Sequence, residues 1–107
     1  SNSNLGLYST STGVPAGTWE DGIFDYSHVL DLMVDPVWVY SVHPETMVPW
    51  LYNGTESIFI SYDDPQSFGH KLDYVEANLL GGVMFWELSS DTDDHELVDL
   101  LHERLLQ

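Results

Sequence analysis

The sequence predicts an α+β chain: a small antiparallel sheet with one helix, followed by the terminal helix–strand–helix segment of a (β/α)8 barrel. Segments rich in β-branched and aromatic residues, joined by turns such as Asn53-Gly54, predict the antiparallel sheet. An amphipathic helix pattern then leads into residues 83–88, which are almost all apolar, as expected for a parallel strand covered on both faces. We therefore place one domain at residues 1–62 and a barrel segment at residues 63–107.

The first domain is predicted to contain a loop, one helix and three strands. Residues up to 19 are rich in Ser, Thr, Gly and Asn, which favours a loop. A helix is expected over residues 24–33, with Asp25 as its cap and Asp35-Pro36 after its end. Strands are expected at residues 37–42, 47–52 and 57–62. Pro49 predicts that the second strand is an edge or bulged strand.

The second domain is predicted to contain two helices around one strand. Asp63-Asp64-Pro65 is typical of a helix start, with a capping Asp before a Pro. The apolar stripe of this helix consists of Phe68, Leu72, Val75 and Leu79. Gly81-Gly82 is expected to stop this helix, residues 83–88 to form the strand, and residues 93–106 to form the last helix.

The length of the chain limits this interpretation. With 107 residues, of which 43% are hydrophobic, the chain can form one domain with a core. A complete α/β barrel needs roughly 250 residues. The sequence therefore predicts only the last part of a barrel.

The charge of the chain is strongly negative, with 18 acidic residues against two basic ones and a net charge of −16. Nucleic acid and anionic membranes are excluded as partners, because both bind through neutralising cations. The charge suits a neutral or cationic ligand. It also resembles the acidic surfaces of salt-adapted proteins, in which screening relieves self-repulsion.

The sequence predicts no metal site and no cofactor. There is no cysteine, so disulfides and thiolate ligands are excluded. His95 and His102 lie seven residues apart on one helical face but lack a third ligand, and the acidic residues near them do not fit a calcium loop. No apolar run approaches the ~20 residues of a membrane span, and no signal peptide is recognisable.

The order of several short motifs resembles the C-terminal part of family-18 glycoside hydrolases, the chitinases. The motifs are Gly17-Thr18-Trp19-Glu20-Asp21-Gly22, Phe24-Asp25-Tyr26, Val48-Pro49-Trp50, Ser61-Tyr62-Asp63-Asp64 and Gly81-Gly82-Val83-Met84-Phe85-Trp86. The resemblance implies that residues 1–62 are the insertion domain of that family. It also implies that residues 63–79, 82–88 and 93–106 are barrel helix seven, strand eight and helix eight.

The resemblance further implies a secreted, retaining hydrolase of β-1,4-linked N-acetylglucosamine, in which the acetamido group of the substrate is the nucleophile. The general acid of the family ends an Asp-x-x-Asp-x-Asp-x-Glu motif on strand four, and this motif is absent here. The isolated chain is therefore expected to be inactive and to contain no catalytic residue. The acidic residues 91–96 have the wrong spacing and are interpreted as helix capping.

Three residues are candidates for substrate binding. Trp86 matches the strand-eight Trp of the family, whose ring forms a floor under the sugar. Tyr26 matches a residue on the cleft wall, although Ser27 stands where some members have Arg. Glu87 should point to the opposite face of the strand from Trp86, where it either holds a loop or serves as an ordinary structural carboxylate.

Further aromatic residues have both a functional and a structural interpretation. Trp19, Trp38 and Trp50 are either sugar platforms or parts of a small core. Asn53-Gly54-Thr55 matches a glycosylation acceptor, but a hairpin turn also explains it.

Two alternatives to an enzyme remain open from the sequence. The longer protein could be a chitinase-like, lectin-like protein that keeps the cleft and binds chitin oligosaccharides without cleaving them. The chain could also be a free-standing α+β domain, and its exposed strand at residues 82–88 would then pair with another copy of the chain. The expected partners are chitin or its oligosaccharides, the remainder of the barrel and, through that strand, a second copy.

Overall fold

A computed structural model of the chain describes residues 6–106, and it contains helices and strands in the predicted order. The predicted first domain, residues 1–62, contains α1 (Tyr26–Leu32), β1 (Trp38–Val42), β2 (Pro49–Asn53) and β3 (Ile58–Ser61). The predicted second domain, residues 63–107, contains α2 (Pro65–Ala77), a short 3₁₀ turn (Leu88–Ser90) and α3 (Glu96–Leu105). The mixed α+β class with a small antiparallel sheet is confirmed.

The three strands form an antiparallel meander in the order β1-β2-β3, as predicted. The prediction that Pro49 makes its strand an edge or bulged strand was wrong, because β2 lies in the centre of the sheet. Pro49 is the first residue of β2 and pairs with Val42 at the end of β1. At that position the missing N–H interrupts no interior part of the hydrogen-bond ladder.

The hairpin between β2 and β3 is confirmed, with a loop of residues 54–57. Asn53 pairs with Ile58, and its side-chain oxygen accepts hydrogen bonds from the backbone N–H groups of Thr55 (3.0 Å) and Glu56 (3.1 Å). The Asn side chain thus replaces the ladder partners that the backbone loses in the loop.

The core of the first domain lies between α1 and one face of the sheet. Val29 of α1, Leu51 of β2 and Ile60 of β3 are buried together. Five partly buried side chains surround them: Phe24, Leu32, Trp38, Ile58 and Tyr62. Because side chains alternate along a strand, the neighbours of Leu51 and Ile60 point to the opposite face of the sheet.

The helix α2 begins as its sequence predicts. The Asp64 carboxylate accepts from the backbone N–H of Ser67 (2.8 Å), and the Ser67 hydroxyl accepts from the backbone N–H of Asp64 (3.0 Å). Leu72 and Val75 of the predicted stripe are buried. Leu79 is 91% exposed, because the helix ends at Ala77, before the predicted Gly81-Gly82 stop.

The predicted strand at residues 83–88 is absent from the structure, so this prediction was wrong for the chain by itself. A strand exists only through hydrogen bonds to a neighbouring strand, and no part of residues 6–106 pairs with this segment. Its apolar side chains remain accessible, among them Met84 (83% exposed) and Phe85 (45% exposed). The segment has the composition of a buried strand without the surroundings of one.

The helix α3 is capped by the acidic segment before it, as predicted. The buried Asp91 carboxylate accepts from the backbone N–H groups of Leu97 (3.1 Å) and Val98 (3.0 Å). Leu101 of α3 is buried, and Arg104 donates to Asp73 (2.7 Å) and Glu76 (3.1 Å) of α2. These contacts hold α3 against α2. The described residues include no helix long and apolar enough to cross a membrane.

We expect the chain to become more stable as salt is added. Both cations of the sequence are already paired, Lys71 with Asp63 and Arg104 with two α2 carboxylates, and the other carboxylates repel one another. Screening should shorten the range of this repulsion from ~10 Å at 0.1 M salt to ~3 Å at 1 M. The melting temperature should rise by about 5 °C over this range, measured by circular dichroism. A melting temperature that stays constant or falls would refute a salt-adapted surface.

Candidate functional site

Trp86 is the most exposed large aromatic side chain in the second domain. It lies just before the 3₁₀ turn, and 88% of its surface is accessible. The peptide bond between Trp86 and Glu87 is cis. A ring in this position offers a broad apolar face, which is what the apolar side of a pyranose stacks on. Its role in substrate binding stays a prediction.

Glu87 follows Trp86, and both residues line a small apolar pocket of about 110 Å³. The pocket is lined mainly by side chains of α2, α3 and the segment before the turn: Phe68, Phe85, Leu97, Val98 and Leu101. The backbone carbonyl of Glu87 accepts from the N–H of Ser90 (3.1 Å) and so closes the turn. The structure brings Glu87 close to Trp86 but gives it no distinctive partner, so the two interpretations of this carboxylate stay open.

Tyr26 is buried at the start of α1 rather than exposed on a surface. Its hydroxyl donates to the Glu96 carboxylate on α3 at 3.1 Å, across 70 residues of sequence. Burial and the negative charge of Glu96 both raise the pKa of Tyr26 above its ordinary value. In this chain the side chain therefore joins α1 to α3, and its contact with substrate stays a prediction.

Asp25 makes the second bridge between the domains, and the sequence interpretation missed it. Its carboxylate is the acceptor for two donors: the Trp19 indole N–H at 2.8 Å and the Ser90 hydroxyl at 2.9 Å. Asp25 is 7% exposed and lies at the N-terminal boundary of α1, but its side chain does not cap the helix. The expected capping role of Asp25 was wrong, because these two donors use its oxygens.

The structure separates the three tryptophans that were considered as sugar platforms. Trp38 packs against the core of the first domain, and Trp50 is only 6% exposed, so both have the structural role. The indole N–H of Trp50 has no partner among residues 6–106. Trp19 is 84% exposed although its N–H is fixed by Asp25. It combines an accessible ring face with a fixed orientation.

The sequence alone gave no signal for the contacts between the domains. Glu96 and Ser90 lie 70 and 65 residues from the partners that they bind in the first domain. A third contact, from the Tyr40 hydroxyl to Asp64, is longer at 3.4 Å. Neither periodicity nor a short motif can reveal pairs that are so distant in sequence.

The arrangement favours binding of a neutral polar ligand with apolar faces. Trp86 and Trp19 present accessible rings, and Asp25 links Trp19 to Ser90, which follows Trp86 by four residues. Among residues 6–106, no group of three His, Asp or Glu side chains is placed to hold a metal ion. Sugars bind proteins through aromatic stacking together with hydrogen bonds to nearby polar groups, and this part of the chain offers both.

We expect alkaline pH to weaken the contact of Tyr26 with α3. Because the folded state raises the pKa of Tyr26 above its ordinary value of about 10, its contribution is complete below pH ~10. Above that pH the unfolded state loses the phenol proton first, so the free energy of unfolding should fall. Urea denaturation at several pH values from neutral upward should reveal this decrease.

The matched variant is Tyr26→Phe, which lacks the ionisable hydroxyl. It should be less stable than the unmodified chain by about 1 kcal/mol at neutral pH and should lose less stability above pH ~10. Burial also raises the pKa of Tyr62, so Tyr62 retains part of the pH dependence of stability in this variant. An identical alkaline decrease in the variant would rule out Tyr26 as a source of it.

Comparison with known proteins identifies relatives of most of the chain. A family model described as glycosyl hydrolases family 18 matches residues 1–91. Chitinase A1 of Niallia circulans is 43% identical over 88 residues, covering 80% of this chain and 13% of that protein. The chain thus spans only a small part of the length of its curated relatives.

Two solved structures share the fold of the chain. A glycoside hydrolase family 18 N-acetylglucosaminidase from Paenibacillus barengoltzii aligns with 97% of this chain and 29% of its own, with a TM-score of 0.74 and 36% identity. Chitinase ChiA74 from Bacillus thuringiensis aligns with 86% of this chain and 17% of its own, with a TM-score of 0.73 and 36% identity. The resemblance covers both domains of the chain.

Proposed function

The chain belongs to glycosyl hydrolases family 18, and from this membership we propose that it is the C-terminal part of a chitinase that hydrolyses β-1,4-linked N-acetylglucosamine polymers. The observation that best supports this role is the exposed ring of Trp86 at the end of a segment with the composition of a barrel strand. In the longer protein this ring forms the floor under the sugar at the cleavage site.

The proposed reaction retains the anomeric configuration and uses the acetamido group of the substrate as nucleophile. The general acid comes from residues outside this chain, since its motif is not among the 107 residues. This chain supplies Trp86 under the reacting sugar and a wall of the cleft. The wall contains the exposed ring of Trp19 and the helix α1, at whose start the buried Tyr26 lies. The isolated chain is therefore inactive, and the longer enzyme acts outside the cell.

The exposed apolar segment is consistent with a missing barrel. Residues 1–62 form the insertion domain and residues 63–107 the last helix–strand–helix of the barrel in this proposal. Met84, Phe85 and Trp86 are accessible in the chain by itself, and burial of such a segment stabilises by about 25 cal/mol per Å². Residues 82–88 become strand eight when neighbouring barrel strands supply hydrogen-bond partners on both sides.

A direct test is to express the longer protein that contains this chain and to assay it on chitin oligosaccharides. The expected product is a short N-acetylglucosamine oligomer with the β-anomer in excess at early times, as followed by NMR. The 107-residue chain by itself should release no product. Binding of the oligosaccharide without cleavage by the longer protein would replace the chitinase by a lectin-like member of the family. If the longer protein neither binds nor cleaves the oligosaccharide, the proposal is overturned.

A further inference from the structure

A second surface of the chain has the features of a sugar site and lies away from the residues discussed above. It is a groove of about 600 Å³ between the segment of residues 9–15 and the β2–β3 hairpin. Tyr52 of β2 and Phe59 of β3 line it. Tyr52 directly follows Leu51, and Phe59 directly precedes Ile60. Because the side chains of Leu51 and Ile60 face α1, those of Tyr52 and Phe59 point to the opposite face of the sheet, where the groove lies.

The floor of the groove is aromatic. Tyr52 and Phe59 are direct cross-strand partners, and the ring of Trp50 lies beside that of Phe59 with 6.2 Å between their centroids. Phe59 is 36% exposed, so its ring is partly accessible from the groove. Tyr52 and Phe59 thus supply the rings that line the groove, and the buried Trp50 supports Phe59 from the side at an interplanar angle of 35°. A sugar can stack on an accessible ring of this kind.

Gly6 also lines the groove and lies against part of its aromatic floor. Gly6 has a φ of +90°, and a Cβ atom at this position would lie 3.0 Å from the Tyr52 ring and 3.3 Å from the Phe59 ring. The backbone therefore lies against the rings at a distance that a side chain would not allow. This contact fixes the start of the segment that forms the opposite wall.

The rim of the groove is rich in hydroxyl groups and poor in charge. Four successive exposed residues line it with hydroxyls: Ser9, Thr10, Ser11 and Thr12. Glu56 is the one charged side chain among the residues that line the groove. Lys71 and Arg104, the cations of the chain, are paired with carboxylates of residue 63 and of α2. The groove therefore repels anions and suits a neutral ligand with many hydroxyls.

We propose that this groove is an auxiliary binding site for a neutral oligosaccharide of β-1,4-linked N-acetylglucosamine, separate from the cleft of Trp86. The choice of this sugar rests on the proposed function. The aromatic floor stacks on the apolar face of one sugar unit, and the hydroxyl rim hydrogen-bonds to its polar edge. Such a site would keep a long polymer attached to the insertion domain while another part of it occupies the cleft.

The test is an NMR titration of the 107-residue chain with chitohexaose, in which amide shifts locate the binding. Shifts are expected at Tyr52, Phe59 and the hydroxyl rim. The variant Phe59→Leu keeps an apolar side chain but removes the ring, and should weaken these shifts about fivefold to tenfold in apparent Kd. The control Tyr74→Leu removes an exposed ring on α2 and should leave the affinity unchanged.

The variant Trp86→Ala separates this site from the cleft, because it should leave the shifts at the groove unchanged. Shifts confined to the neighbourhood of Trp86, or an unchanged affinity in Phe59→Leu that retains the fold, would overturn the auxiliary site. So would the absence of any shift at millimolar chitohexaose. None of these outcomes affects the proposed function, since hydrolysis by the longer protein is measured independently.

Discussion

Replacement of Trp86 by alanine in the longer protein is expected to lower kcat/KM on chitin oligosaccharides about 100-fold. The ring is 88% exposed in this chain, so its removal takes away a ligand surface rather than a part of the core. In the proposed mechanism the ring holds the reacting sugar so that its acetamido group lies near the bond to be cleaved, and the variant is expected to lose this geometry. The loss should appear mainly in kcat, measured by steady-state hydrolysis.

Two further variants make the result specific. Trp86→Phe keeps a flat ring and should recover most of the activity, to within about tenfold of the unmodified enzyme. Tyr74→Ala removes another exposed ring, on α2, and should change kcat/KM by less than about twofold. An unchanged kcat/KM in a folded Trp86→Ala enzyme would remove Trp86 from the site.

The sequence predicted those elements whose signals are local. The start of α2 was predicted from Asp64 and Pro65, and the hydrogen bonds between Asp64 and Ser67 confirm it. The capping role of the acidic segment was confirmed by the contacts of Asp91 with α3. In each case the capping residue and the backbone groups that it binds are separated by no more than about two helical turns of sequence. Side-chain capping acts over this short distance, so a local pattern can predict it.

The sequence was less informative where the partner is remote. Residues 83–88 have the pattern of a buried strand, but a strand needs neighbours and the described residues supply none. The end of α2 was placed too late, since Leu79 fits the apolar stripe but lies beyond the last helical residue. The bridges from Tyr26 to Glu96 and from Asp25 to Ser90 join residues that no local pattern relates.

The largest stability effect in the site is expected at Asp25. Asp25→Ala should lower the free energy of unfolding by about 3 kcal/mol, because two hydrogen bonds to a buried carboxylate are lost at once. The Trp19 ring should also lose its fixed orientation, because its indole N–H is then left without the Asp25 acceptor. Urea denaturation measures the first effect, and the fluorescence anisotropy of tryptophan reports the second.

Asp25→Asn tests whether the hydrogen bonds or the charge explain the effect. The amide oxygen can still accept from the Trp19 indole, and the amide NH₂ can donate to the Ser90 hydroxyl once that hydroxyl rotates. This variant should therefore lose only about 1 kcal/mol, the usual difference between a charge-assisted and a neutral pair of hydrogen bonds. Ser90→Ala should destabilise the unmodified chain but add nothing in the Asp25→Ala background. If the two substitutions are additive, Asp25 does not connect the start of α1 to the segment that contains Trp86.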